Sequence, residues 1–413
     1  MRLSLVFAAL LAAVPTLATV IPSRIGTVIP LTKRTNLLVD DQGIVKPEVL
    51  KGQINKVASK FDRGFRAFEK NTGQVHPGRV QKETVEARAT GAVPLVDDQD
   101  ALWHGTISVG TPAKQFTVDF DTGSSDLFLP GPDCGATCQG HQVYNTAAST
   151  TAKDQGQKFS LAFGDGSTVQ GEVFTDTVAI AGLTANNQAV GAATQYSTGF
   201  ESNQFPPDGL MGMAFRQISV FGDNPFFQTL IAQGTPTASQ FSFKLSQSGS
   251  ELFLGGVNNN MFTGSFTNVP VTQEGFWQVT LGAVNVGGSA AISNQQAAID
   301  TGTTLIVAPQ AQVAQFYQAI PGSQDASQTV GAGFFTFPCS ANPSVSLTFG
   351  GKEFAIPSAS FNLGQVSAGS SQCVGGIAGT TNIDLWVVGD LFLTNVYTTF
   401  DAGNSQVGFA TLA

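Results

Sequence analysis

Histidine, cysteine and charge are all scarce in this chain, and long apolar runs are nearly absent. The three histidines, His76, His104 and His141, form no cluster, and the four cysteines have the wrong spacing for a zinc site. No metal or cofactor is expected. After the opening residues no stretch stays apolar for the roughly 20 positions that a membrane-crossing helix needs, so no membrane partner is expected. The closing residues Val407-Gly408-Phe409-Ala410 do not read as a lipid-anchor tail. No Asn-x-Ser/Thr sequon with a permitted middle residue occurs, since Asn342 is followed by Pro343, and no N-glycan is expected. Charged residues make up 12% of the chain and the net charge is -9, a sign that disfavours nucleic acid.

The one early apolar stretch, Leu3 to Ala13, follows Arg2 and precedes Thr16-Leu17-Ala18. That is the pattern of a secretory signal over residues 1–18, too short to span a bilayer. Extracellular secretion is the expectation, with a vacuolar destination as the lesser alternative. Cysteines 134, 138, 339 and 373 suit an oxidising compartment. Of the three possible connectivities, Cys134–Cys138 with Cys339–Cys373 is the simplest. Those loops would contribute about 2 and about 4 kcal/mol in the chain-entropy picture.

Charge is distributed unevenly. Residues 19–88 hold 13 Lys/Arg against 7 Asp/Glu, whereas residues 89–413 hold 6 against 22. A basic leader on an acidic body predicts electrostatic attraction between them. The body is rich in neutral polar residues, which keep their hydration as pH falls, so it suits acidic surroundings. In the leader, Val49, Leu50, Ile54, Val57, Phe61 and Phe65 recur at helical steps and predict a helix over Pro47 to Glu69. From about Trp103, short runs alternate apolar and polar residues between Gly, Asn and Asp turns, as all-β folds do. Helices are few; Pro225 to Gln233 and Pro309 to Ala319 are the best candidates.

One element occurs twice. Phe120-Asp121-Thr122-Gly123-Ser124 is echoed 179 residues later by Ile299-Asp300-Thr301-Gly302-Thr303. Each copy is followed by an apolar-apolar-Gly element, Gly212 lying 91 residues after Asp121 and Gly389 lying 89 after Asp300. A single Asp-Thr-Gly turn is ordinary loop chemistry. Two at matched offsets predict two similar lobes, residues 89–268 and 269–413, each presenting one carboxylate. Facing each other, the two can activate water and polarise a carbonyl together. A glycosidase also uses two carboxylates, but neither the repeat nor the charge-switched leader supports one.

At this point the chain resembles a pepsin-family aspartic endopeptidase, more the secreted fungal members than the gastric ones. The matching stretches are Gly105 to Pro112, both Asp-Thr-Gly turns, Phe163-Gly164-Asp165-Gly166-Ser167, and Trp386 to Asp390 running into Tyr397 to Asp401. The resemblance implies an all-β bilobal fold, with two related β-lobes around a deep cleft and a first-lobe hairpin closing over it as a flap. It implies that Asp121 and Asp300 are the catalytic pair, that Thr122 and Thr301 lock the two turns together, and that Ser124 and Thr303 bond the carboxylates from outside. Gly123 and Gly302 permit the tight turn and close approach. A non-catalytic relative that binds peptides or a protein through the same cleft is the rival reading.

For substrate contacts the resemblance points to Phe163, Gly164, Asp165, Ser167, Asp119 and Leu210. In fungal relatives an aspartate at the Asp165 position, with the following serine, receives a lysine just before the scissile bond; a simple hairpin turn explains it equally well. Leu210, Phe205 and Ile306 are candidates for the cleft, with core packing an equally good explanation for each. Phe163 and Phe128 stand where the family has Tyr and Trp. Removing both polar tips together is nearly neutral, so an aromatic contact is expected to replace their hydrogen bond. His104 and His141 read as surface or near-surface residues. Expected partners are protein and peptide substrates and the chain's own leader, in a monomer. Lys33-Arg34 and Arg88-Ala89 read as processing sites. Among Lys70, Arg79 and Lys82, one is expected to neutralise the dyad in the precursor.

Overall fold

A computed structural model describes residues 26–33, 38–80, 103–162, 168–246 and 249–413. The signal at residues 1–18, Arg34, Lys82, the Arg88-Ala89 junction and the hairpin Phe163-Gly164-Asp165-Gly166-Ser167 lie outside the described residues.

The leader supplies β1 (Thr27–Pro30), β2 (Thr32–Lys33) and α1 (Pro47–Thr72). The first part of the body contains β3 (Trp103–Val109), β4 (Lys114–Asp121), β5 (Leu127–Pro130), β6 (Lys153–Ala162), β7 (Thr168–Ile180), β8 (Leu183–Tyr196) and β9 (Gly209–Gly212). These join β2 in an eight-stranded sheet, ordered β2-β3-β4-β9-β5-β8-β7-β6. After α2 (Phe226–Ala232) come β10 (Gln240–Lys244), β11 (Glu251–Leu254), β12 (Phe262–Gln273), β13 (Gln278–Val286), β14 (Ser289–Ile299) and β15 (Ile306–Pro309), then α3 (Gln310–Gln318). Strands β1 and β10 to β15 belong to a 13-stranded sheet with later strands. The fold is dominated by β-structure, as the alternation predicts. The two short helices fall within their predicted segments, with Pro225 and Pro309 at their N-caps. No helix among the described residues is long and apolar enough to cross a membrane.

The duplication in the sequence is a duplication of topology. Strand β4 ends at Asp121 and runs parallel to β9, which pairs antiparallel with β5; β5 in turn runs parallel to β8. Strand β14 leads into Asp300 and runs parallel to Trp386–Val388, which pairs antiparallel with β15; β15 runs parallel to Ile377–Thr380. Each apolar-apolar-Gly strand is thus wedged between the two arms of an aspartate turn. That position explains its glycine: a Cβ at Gly212 would meet the Asp126 amide nitrogen at 2.5 Å, and one at Gly389 would meet the Leu305 carbonyl oxygen at 2.5 Å.

Helix α1 runs three residues beyond its predicted end and stops at Gly73, whose φ of 72° is readily adopted by glycine. Its apolar stripe is buried as predicted, and the buried face also includes Gln53, Lys60 and Gly64. The leader docks at both ends: β1 pairs antiparallel with β11, and β2 with β3. Asn71, near the end of α1, donates to the carbonyls of Gln217 (3.1 Å) and Ser219 (2.9 Å).

Candidate active site

Two turns meet beside the middle of α1. Thr122 Oγ1 donates to the Ile299 carbonyl (2.9 Å) and accepts from the Thr301 amide (3.0 Å). Reciprocally, Thr301 Oγ1 donates to the Phe120 carbonyl (2.7 Å) and accepts from the Thr122 amide (3.1 Å). Both threonines are buried, so each bond is worth most to the fold by leaving no orphaned group. Within each turn the carboxylate is held in the same way. Asp121 accepts from the Gly123 amide (2.9 Å) and Ser124 Oγ (2.6 Å); Asp300 accepts from the Gly302 amide (3.0 Å) and Thr303 Oγ1 (2.7 Å). A Cβ on Gly123 would lie 2.5 Å from Asp300 Cγ, and one on Gly302 would collide with the Asp121 carboxylate. Neither glycine has a positive φ. Close approach, not turn conformation, is what demands them.

The cation between the carboxylates is Lys60, which was not among the three candidates. Its Nζ lies 2.6 Å from Asp300 Oδ2 and 3.1 Å from Asp121 Oδ1, and donates also to the Gly302 carbonyl (3.2 Å). Lys70 is exposed, and Arg79 pairs with Glu69. Lys60 escapes sequence reading because it sits inside the apolar face of α1, between Val57 and Gly64. The available signal was that position, since a lone cation on a buried stripe needs an anion to meet. Burial alone pulls the Lys60 pKa down, but the adjacent Asp121 and Asp300 charges more than offset it and raise it above the usual lysine value. For Asp121, burial pushes up, yet Lys60, Ser124 and the Gly123 amide together hold the carboxyl below the ordinary range. For Asp300, burial pushes up and Lys60 pulls down; the Asp121 charge helps burial prevail, and the carboxyl is raised.

The other expected residues scatter. Asp119, two residues before Asp121, is buried, and its Oδ1 has no hydrogen-bond partner among the described residues. Burial, then the Asp121 charge, push its pKa up to about 8, against the pull of Lys56 and Lys60. Leu210 pairs in register with Asp119 across β4 and β9, and packs with Phe205 in an apolar cluster around Phe128. Ile306 lies in the main core. Phe128 is 1% exposed, edge-on to Tyr196 (6.0 Å) and Phe200 (5.6 Å). A tryptophan there would overpack the cluster. The partner expected for it, Phe163, lies outside the described residues along with Gly164, Asp165 and Ser167.

His141 is a correction: it is buried, not near the surface. Its Nε2 meets the Phe200 carbonyl at 2.9 Å and its ring lies edge-on to Tyr196. Burial lowers its pKa, against the pull of the Phe200 carbonyl and Asp208. The polar residues around it in sequence hid this contact, which is made 59 residues away. His104 is partly buried on β3, in register with Asp119. The cysteines pair sequentially, Cys134 with Cys138 and Cys339 with Cys373.

Sequence comparison adds independent information. The profile of the eukaryotic aspartyl protease family matches residues 102–412. An aspartic protease of Phaffia rhodozyma is 47% identical over 329 residues, covering 78% of this chain and 80% of that protein. Major aspartyl peptidase 1 of Cryptococcus neoformans is 33% identical over 360 residues, covering 80% and 73% respectively. Pepsin A of Suncus murinus is 34% identical over 352 residues, covering 82% and 88%.

Proposed function

Given that this chain belongs to the eukaryotic aspartyl protease family and is an aspartic-type endopeptidase, we propose that Asp121 and Asp300 are its catalytic pair. The observation that carries this reading is the reciprocal threonine lock, which brings one carboxylate from each turn to a shared point. Two carboxylates so close do not both ionise cheaply, so the pair holds one proton over a range of pH. In that state one carboxylate takes a proton from a bound water while the other donates to the scissile carbonyl oxygen. Water attacks directly and no acyl-enzyme forms. Ser124, Thr303 and the amides of Gly123 and Gly302 keep both groups oriented throughout.

We further propose that the protein is secreted as a zymogen. Residues 1–18 are the signal, 19–88 the inhibitory leader, and 89–268 and 269–413 the two lobes. What supports the inhibitory role is Lys60, whose ammonium ion occupies the place where water and substrate would meet the dyad. Conversion is expected below about pH 5, after cleavage near Arg88-Ala89. The mature enzyme acts as a monomer, because one chain carries both turns. It prefers large apolar residues beside the scissile bond and accepts lysine before it, through Asp119, Asp165 and Ser167. Support for the lysine comes from Asp119, a buried acid whose Oδ1 has no hydrogen-bond partner among the described residues.

The test is hydrolysis of denatured haemoglobin at acid pH by the purified, converted protein. Pepstatin is expected to abolish it, and Asp121→Asn or Asp300→Asn to reduce it by about 10³-fold or more. Hydrolysis that resists pepstatin, or survives in either variant, would place the chemistry elsewhere.

A further inference from the structure

His76 is fully buried and walled by aromatic rings. Phe65 lies 4.9 Å away and roughly parallel, while Phe68 (5.0 Å) and the body's Phe276 (5.6 Å) meet it edge-on. The Gly78 amide donates to its Nδ1 at 3.1 Å. The neutral ring therefore carries its hydrogen on Nε2, which has no hydrogen-bond partner among the described residues. A second proton can enter only at Nδ1, where the Gly78 N–H already points.

The same turn fastens the leader to the body. The Gly78 carbonyl accepts from the Asp384 amide (2.9 Å), and Arg79 bridges antiparallel to Ile383. Phe276 links the cage to the dyad, because it also stacks on Phe61, the neighbour of Lys60, at 4.3 Å.

We propose that His76 is an acid-operated latch. Protonation at Nδ1 breaks the Gly78 bond, opens the turn at Asp384 and frees α1 to withdraw Lys60 from the dyad. The proposal rests on the reading that Lys60 blocks the active site. Several charged groups sit on the surrounding elements. Glu69 and Arg79 pair with each other, and Glu274 accepts from Gln217 and Ser405. Asp384 is exposed, and Lys60 is held by Asp121 and Asp300. None of them offsets the burial of His76, which is the one cause of its lowered pKa, about 4. A new N–H at Nδ1 would point at the Gly78 donor and find no acceptor there.

The sign follows from linkage. The docked leader binds the His76 proton more weakly than the free leader does. Docking is therefore at full strength above the ordinary histidine value, weakens about tenfold per pH unit on acidification, and levels off near pH 4. The total loss is on the order of 100-fold. Across that window Asp300, raised to about 6, takes up a proton, but Asp121 stays ionised because its carboxyl lies below the usual range, so Lys60 keeps one of its two ionic partners.

The experiment uses the purified full-length precursor, with conversion rate measured from pH 3 to 7. His76→Phe keeps the cage without a proton site, and His76→Gln keeps an acceptor without titration. Each is expected to move the conversion midpoint down by at least about one pH unit and slow conversion at pH 5 about tenfold. Activity of the mature enzyme, which lacks residue 76, should be unchanged. If either folded variant converts with the parent's pH profile, the latch is refuted. If the parent precursor cleaves peptides at pH 7 with its leader attached, the Lys60 reading fails instead, whatever the His76 variants do.

Discussion

The two aspartate turns share one hydrogen-bond plan and differ in electrostatics. Each carboxylate accepts from the amide two residues on and the hydroxyl three residues on, and each threonine bonds across to the opposite turn. Yet Asp121 is held below the ordinary carboxylate range and Asp300 above it. The turns themselves do not explain this; the contact between the two carboxyls does. Ionised Asp121 pushes Asp300 up through its charge and their shared hydrogen bond, and that bond holds Asp121 down; neither Lys60, which sits nearer Asp300, nor the acid Asp119, which precedes the first turn where Ala298 precedes the second, favours this order. Duplication fixes the geometry of the pair, and the repulsion between its two charges divides the protonation. This is a general route by which a symmetric scaffold supports an acid and a base at once.

The largest effect on this comparison should come from removing the shared counter-ion. Lys60→Met leaves two buried carboxylates without a cation, a change that costs about 3–5 kcal/mol at buried pairs. The precursor should then release its leader and bind immobilised pepstatin at pH 6.5, which the parent should not. Equal exclusion by both precursors would show that Lys60 is not what closes the site. The pH dependence has a definite sign. Because the Lys60 pKa is raised, its contribution is fully present below the usual lysine value. Because the Asp121 pKa is lowered, its share is lost only as pH falls through that depressed value.

How much of this was legible in the sequence follows the range of the interactions. The two Asp-Thr-Gly turns, their matched glycines and the apolar stripe of α1 are local patterns with fixed spacings, and each could be read directly. Lys60 was missed because its one signal, a cation inside the apolar stripe of α1, names no partner until the opposing carboxylates are known. His141 failed for the same reason, its Phe200 contact being made 59 residues away. The Phe128 substitution was legible as an absence. Its surroundings, Tyr196 and Phe200, come from β8 and the turn after it, and no periodicity announces them.

A smaller effect would test whether the lock is as symmetric as its distances. Thr122→Val and Thr301→Val each delete one donated and one accepted bond at a fully buried position. Each should destabilise the mature enzyme by about 1–3 kcal/mol, chiefly by orphaning a carbonyl and an amide. The two losses should match within error, and the double variant should lose less than their sum, because the bonds form one network. Thermal scans at a fixed rate would read this. A large inequality would mean that one turn carries the pair.

The smallest effect should follow from making the first turn resemble the second. Asp119→Asn replaces the unduplicated acid with a neutral group of the same shape. With its pKa pushed up to about 8, Asp119 already holds its proton at the acidic pH of catalysis. Hydrolysis of peptides with leucine or phenylalanine before the scissile bond should therefore change less than about twofold. A lysine peptide is different, because its ammonium ion would draw the proton off Asp119 and form a charge-assisted bond that asparagine offers only in weaker form. For that peptide alone kcat/KM should fall at least about tenfold, the size of one such bond. A uniform fall across all three peptides would mean that Asp119 serves the dyad and not the substrate.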